Sequence, residues 1–362
     1  MGRLLSTAGL FAVFSAGAHA LPCVDEVLDH RIVRTVHMDL LGRPPYERDY
    51  ARWVGRRQDE LVDDLLASRE FWDHWYGEQL YYFLLINNFR QESERANTIS
   101  KELHEGGLDV RDAVHRIALT SSFEQRNPGA DTFVTVVMEQ LCGLEVQRIP
   151  RELEIGKKVY DGAEGTFLGA TGRCQADIVR IAIESRLFAP HFLGREHERL
   201  VHARPDPRDL AAWSAQFQRD PSAYRSLVRA WLTGEAYRAR LARPVTQPNR
   251  LYVRSLFVGL MDRLPTSAEA EPLREALDGL ADPGPLRSIV ARMILDSGRA
   301  KVQARKDIAD PARWIRELFL RLMGRPATDS EVETFAGSLA EPECRPSTVL
   351  CALVSSAEYC RY

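Results

Sequence analysis

The densest concentration of residues that could do chemistry lies near the middle of the chain. Gly162, Gly165, Gly169 and Gly172 punctuate the stretch from Asp161 to Gly172, with Lys157 and Lys158 just upstream. A glycine-rich loop can turn several backbone N–H groups toward one anion, and two lysines would balance its charge. The stretch lacks the G-K-[ST] ending of a phosphate-binding loop and the spacing of a dinucleotide fingerprint. Asp161 and Glu164 do not supply the alternating oxygens of a calcium loop. The sequence therefore offers two readings, a connector or an anion-binding loop, and the second is the best local site it contains.

Arg43, Arg204, Arg263 and Arg325 each follow an apparent helix end by one or two residues. An arginine there can bond the last free carbonyls and sits at the negative end of the helix dipole. Asp49, Glu269 and Glu331 open the helices that follow three of them, so a structural clasp is expected in preference to a ligand site. His191, His197 and His202 cluster in sequence, but on one helix only His191 and His202 share a face, about 16 Å apart along the axis. They do not make a metal site, and no H-E-x-x-H occurs. There is no G-x-S-x-G. Asp63 and Asp64 are adjacent on a charged helix face and read as solvated. No metal, cofactor or catalytic set is written in these residues.

Composition restricts the remaining classes. The formal net charge of −3 over 362 residues disfavours a nucleic-acid surface, which needs a concentrated basic face. The chain opens like a secretory signal. Arg3 supplies the positive region, Leu4 to Ala16 the short apolar run, and Ala18-His19-Ala20 a small-x-small cleavage site, with a mature start expected near Leu21. No stretch reaches the roughly 20 apolar residues of a membrane span. Residues 1–20 are thus expected to direct the protein to the periplasm or outside the cell. All six cysteines, Cys23, Cys142, Cys174, Cys344, Cys351 and Cys360, follow the cleavage site. An even number in an oxidising compartment predicts disulfides. Cys142–Cys174 is the favoured pair, with one local bridge among Cys344, Cys351 and Cys360.

The elements that position these residues repeat. Leu40-Leu41-Gly42-Arg43-Pro44-Pro45 closes one helix and turns the chain into the next. Worn copies stand at Leu322–Pro326, Leu260–Pro265 and Val201–Pro205. Before the first copy, Val33, Val36, His37, Leu40 and Leu41 have the spacing of one buried helix stripe. Ile315, Leu318, Phe319, Leu322 and Met323 repeat it near the end of the chain, and Val253, Leu256, Phe257, Leu260 and Met261 between them. A period near 50 residues with this grammar predicts an all-α array of about five degenerate three-helix units. The units span 21–76, 132–190, 191–242, 249–300 and 311–362, with a helical insertion at 77–131. The second helix of the first unit is expected over Glu47 to Arg57. In the insertion, Glu92 to Glu105 reads as a polar loop or exposed helix and Asp109 to Phe123 as one amphipathic helix. Thr132 to Val137 is the one short run with strand-like alternation.

Residues 31–89 resemble the opening of a domain of unknown function found beside cytochrome-c-like domains in secreted planctomycete proteins. That family has a helix ending L-L-G-R-P-P, then L-V-D-x-L-L-x-S-x-E-F and a tryptophan-rich H-W segment. Here these are Leu40 to Pro45, Leu61 to Phe71 and His74-Trp75. The shorter unit is similar to phycobilisome-linker-like repeats, which share the G-R-P turn and the S-x-E-Y ending, here Ser356 to Tyr359. The resemblance implies a helical repeat and no particular activity. The expected function is an exported, non-enzymatic scaffold presenting helix faces to an envelope or extracellular protein or glycan. The alternative is an enzyme, or accessory subunit of one, acting on an envelope or extracellular polymer. The two differ in whether a concave site with converging polar groups exists.

Overall fold

A computed structural model of the chain describes residues 27–84 and 98–362. The expected leader, Leu21, Cys23 and the stretch from Glu92 to residue 97 lie outside them. Among the described residues there are twenty α-helices and one two-stranded hairpin, an all-α fold.

The repeated turn shows how the sequence builds it. Helix α1 (His30–Leu41) starts where the Asp29 carboxylate accepts the Ile32 N–H at 2.7 Å. It stops at Gly42, which takes the left-handed conformation (φ 62°) and returns its N–H to the Met38 carbonyl at 3.1 Å. The other copies stop the same way at His202 (φ 54°), Asp262 (φ 56°) and Gly324 (φ 71°), and Gly143 (φ 65°) ends a fifth helix alike. Proline then forbids continuation at Pro44, Pro205 and Pro326. Two of the following helices open with capping boxes, Thr266 with Glu269 and Thr328 with Glu331.

Gly42 is needed for more than its φ. A Cβ there would run into the His74 imidazole, which packs under the turn. At Gly106 (φ 76°) a Cβ would meet open space. Gly106→Ala should therefore cost only the left-handed strain, about 1–2 kcal/mol. Gly42→Ala should cost measurably more, because overpacking adds to it. Urea unfolding of the two variants checks this, and equal losses would mean that the His74 ring moves aside freely.

The first unit comprises α1, α2 (Glu47–Trp53) and α3 (Gln58–Ala67); α4 (Arg69–Leu84) runs on into the insertion. α2 is shorter than expected, because Val54 and Gly55 leave helical geometry. The amphipathic stretch from Asp109 forms two helices, α6 (Val110–Ala118) and α7 (Ser121–Arg126), following the short α5 (Ile99–Glu105). The Thr120 hydroxyl caps α7 by accepting the Phe123 N–H, which accounts for the break. The strand-like Thr132–Val137 run lies inside α8 (Gly129–Cys142). Phe133, Val134, Val137, Met138 and Leu141 are buried on one face, so packing overrides the local β preference.

After α9 (Pro150–Tyr160) come β1 (Gly165–Phe167) and β2 (Ala170–Gly172), then α10 (Gln175–Glu184). The chain continues through α11 (Phe188–Val201), α12 (Pro207–Arg219), α13 (Tyr224–Thr233) and α14 (Glu235–Leu241). It ends with α15 (Asn249–Met261), α16 (Ser267–Asp278), α17 (Gly284–Asp296), α18 (Pro311–Met323), α19 (Asp329–Ala340) and α20 (Pro346–Val354).

These helices bury two hydrophobic cores. One draws on residues between Leu28 and Leu241, the other on residues between Tyr252 and Tyr359. The connection between them pairs with the last residues of the chain. Val245 N–H donates to the Tyr362 carbonyl at 2.9 Å, and Gln247 N–H to the Cys360 carbonyl at 2.8 Å. Asp39, buried on α1, accepts the Tyr237 hydroxyl at 2.8 Å and Arg240 Nη2 at 3.4 Å, beside Tyr362. Asp39 of α1 is thereby tied to α14 and to the last residue of the chain.

Candidate ligand-binding site

Where α1 and α2 meet α18, the chain leaves a cleft. Two donors from the first unit reach free carbonyls at the end of α18: Arg34 Nε to Leu322 at 3.1 Å and the Tyr50 hydroxyl to Arg321 at 3.3 Å. A helix leaves its last four carbonyls unpaired, so this end is a natural acceptor for both. Outside the tie the cleft opens to about 440 Å³. Tyr50, Trp314, Leu318 and Leu350 are buried along it, while Glu47, Lys301, Gln303 and Glu317 are exposed at its edge. The His30 ring lies 5.2 Å from Tyr50, and burial lowers its pKa against the opposing pull of Asp29. A smaller cavity of about 50 Å³ adjoins it, lined by Arg34, Gly259 and Tyr359; Glu47, Lys301 and Arg321 border both spaces. The lining mixes Tyr50, Trp314, Leu318, Leu320 and Leu350 with His30, Glu47, Lys301, Gln303, Glu317 and Arg321, at a volume within the roughly 300–1,000 Å³ of ligand pockets, which makes the cleft a candidate binding site.

No protein family, curated protein or solved structure matches the chain. The site is therefore read from its own geometry.

The electrostatics are those of a donor surface. Burial pushes the Tyr50 and Tyr359 hydroxyls well above the usual tyrosine range, against the opposing pull of nearby arginines. Both stay neutral donors at physiological pH. The strongest buried charges lie elsewhere, between α4, α11 and α13. Glu196, 1 % exposed, accepts Gln79 Nε2 at 2.9 Å, the Tyr224 hydroxyl at 2.6 Å and Arg199 Nη2 at 3.0 Å. Burial opposes its ionisation, but Arg199 and Arg195 hold its pKa at about 2. Nearby Glu78 is likewise held at about 2, where Arg250 is the largest influence opposing burial. These groups satisfy one another and cross-link helices.

The glycine stretch is a hairpin. Gly165 pairs with Gly172 and Phe167 with Ala170, and Leu168 (φ 45°) and Gly169 (φ 87°) make the two-residue turn. Its N–H groups are used within the chain: Gly162 to the Val159 carbonyl, Ala163 to the Lys158 carbonyl and Leu168 to the Glu152 carboxylate. Lys157 Nζ lies 2.7 Å from Glu154 and 3.2 Å from Asp131, and Lys158 is exposed. The hairpin docks on α8 and α9 through the buried Phe167.

The turn arginines divide. Arg43, 4 % exposed, bonds Asp49 at 2.9 Å and grips Glu70 with two nitrogens. Arg263 bonds both oxygens of Glu269 at 2.8 and 2.7 Å. Arg325 pairs with Glu331 at 2.9 and 2.6 Å and reaches Glu358 in the last turn. Arg204 is 92 % exposed, 3.4 Å from Glu198. Its turn is one residue shorter, and the His197 ring bonds the Ala203 carbonyl in that position at 2.9 Å. Arg325→Ala should lower the melting temperature by an amount equivalent to about 1 kcal/mol, since the clasp is partly exposed. A thermal scan in which the variant melts with the wild type would remove the clasp from the account.

The three histidines of α11 and its cap go to separate places: His191 beside the Tyr82 hydroxyl, His197 to Ala203, and His202 3.7 Å from Asp39. Among the described residues no group of three or more His, Cys, Asp or Glu is placed to hold a metal.

The expected disulfides require correction, because the five described cysteines are free thiols. Cys142 lies against the Ala182 carbonyl near one end of α10, whereas Cys174 caps the other end. Eight residues of helix separate these positions by about 12 Å, beyond disulfide reach. Cys344, Cys351 and Cys360 are free thiols packed against the C-terminal core.

Proposed function

We propose that the protein is an exported helical-repeat protein that binds an envelope or extracellular glycan in the cleft between α1, α2 and α18. The observation that carries this reading is the 440 Å³ cleft itself, with its mixed aromatic, aliphatic and charged lining and its position between α1, α2 and α18. Burial keeps the Tyr50 and Tyr359 hydroxyls protonated at neutral pH, so they serve as hydrogen-bond donors. No helix among the described residues is long and apolar enough to cross a membrane. Export rests on the leader-like residues 1–20.

The test is site-specific photo-crosslinking in cells. A crosslinker at Gln303, on the cleft edge, should capture one recurrent envelope or extracellular partner. A crosslinker at Met293, 59 % exposed on α17, is the control. Equal capture from both sites, or none from Gln303, would defeat the reading.

A further inference from the structure

At the inner cavity of the cleft the Tyr359 hydroxyl and Arg321 Nε are unpartnered, beside the buried guanidinium of Arg34. Arg34 is 3 % exposed, and among the described residues no carboxylate lies within 4 Å of it. One nitrogen donates to the Leu322 carbonyl and another contacts the Met38 sulfur, a weak acceptor. The Tyr359 hydroxyl, on a residue 2 % exposed, has no hydrogen-bond partner, and neither has the buried Arg321 Nε. Gly259 borders this space: a Cβ there would meet Leu322 Cδ2 at 2.9 Å and stand 3.3 Å from the Tyr359 hydroxyl.

Lone donors in one place are costly. A buried charge without a counter-ion, or a buried hydroxyl without an acceptor, destabilises the fold unless something answers it. The end of α18 answers part of the Arg34 charge through its carbonyls. Of the nearby carboxylates, Asp262 is taken up by Lys301 at 3.2 Å, and Glu47 is exposed at the edge. The cavity, about 50 Å³, exceeds the roughly 10–15 Å³ that a single water requires. It suits a group with several acceptor oxygens.

We infer that the Arg34–Arg321–Tyr359 cavity is an oxyanion-binding subsite, taking the carboxylate of an acidic sugar whose ring lies in the adjoining 440 Å³ cleft. Guanidinium groups match planar carboxylates and tetrahedral phosphates alike, so free inorganic phosphate has the same chemistry at the inner end. The outer cleft favours the sugar, because Tyr50 and Trp314 offer aromatic faces to the C–H side of a ring and Glu47, Lys301, Gln303 and Glu317 at its edge suit hydroxyls. The inference rests on the proposed cleft for its location alone.

The test is calorimetric titration of the full-length chain with sodium glucuronate, glucose and inorganic phosphate at fixed ionic strength. Glucuronate should bind in the millimolar range or tighter, at least tenfold tighter than glucose. Arg34→Gln and Arg321→Gln should each weaken it at least tenfold, and Gly259→Ala should weaken it by filling the space. Each variant's fold is checked by its unfolding transition, and binding measured in any one that remains folded carries the test. Phosphate binding as tightly as glucuronate, with the same losses in the variants, would keep the oxyanion subsite and overturn the sugar as its source. No binding of either anion, or binding unchanged in a folded variant, would overturn the subsite. Anion binding without a partner captured at Gln303 would separate this inference from the proposed function.

Discussion

Glu196→Gln is expected to destabilise the protein by about 3–5 kcal/mol at pH 7, a large share of the total for most domains. The change keeps the shape and much of the hydrogen bonding to Gln79 and Tyr224. It removes the only negative charge within ion-pair distance of Arg199 and Arg195 among the described residues. Arg199 Nε already lacks a partner, and Arg199 itself is held strongly protonated by Glu196 despite its burial. Removing one member of such a pair costs more than the pair contributes, because the other charge stays behind in a poor solvent. Urea unfolding at pH 7 measures it. A loss below about 1 kcal/mol would mean that water reaches this network and screens it.

The second large effect is acid lability that starts unusually near neutrality. His37 is 1 % exposed, and burial lowers its pKa to about 4 although Asp49 pulls the other way. His74 is lowered to about 3, again by burial, with Glu78 opposing and Arg254 assisting. Both are therefore neutral in the folded chain where an unfolded histidine, with its pKa of about 6.5, is charged. Between pH 6 and 5 the unfolded state binds about two more protons than the folded state, so stability rises with pH. The two histidines together should give a slope of about 2–2.5 kcal/mol per pH unit, approaching the limit for two protons. Below about pH 4.5 the carboxylates add to the trend. Glu78 and Glu196 are both held at about 2, so their contribution is present above the unfolded value and is lost as pH falls toward 2. His74→Gln should remove about one proton from the slope between pH 6 and 5. Free energies of unfolding measured at half-unit steps check this, and an unchanged slope in the variant would show that His74 is protonated in the fold.

The all-α class was legible because its signals are local. The 3.6-residue stripe of Val33 to Leu41, the left-handed position at Gly42 and the prolines that follow each repeated turn all lie within a few residues of what they determine. Where a local signal misled, a neighbour through space had decided the outcome. Thr132–Val137 is helical because its faces are buried by other helices, and the glycine stretch is ordered because Phe167 docks and the turn needs Gly169. The cleft was illegible for the same reason. Arg34 and Leu322 are 288 residues apart, and Tyr50 and Arg321 are 271 apart. One signal was available: α1 is buried from Ile32 to Leu41, polar Arg34, Thr35, His37 and Asp39 included, which is more than one apolar stripe requires. A charged residue on an otherwise buried helix points to a partner elsewhere in the chain or outside it. The disulfides were misjudged because cysteine number and compartment say nothing about distance.

Hydrogen–deuterium exchange on the full chain, with and without sodium glucuronate, tests the central claim most directly: that one ligand site is built jointly by the first unit and the C-terminal helices. The account predicts added protection in α1 and α2 and in α18 together, with the hairpin at Gly165–Gly172 unchanged. Protection confined to the hairpin, or to only one side of the cleft, would contradict it.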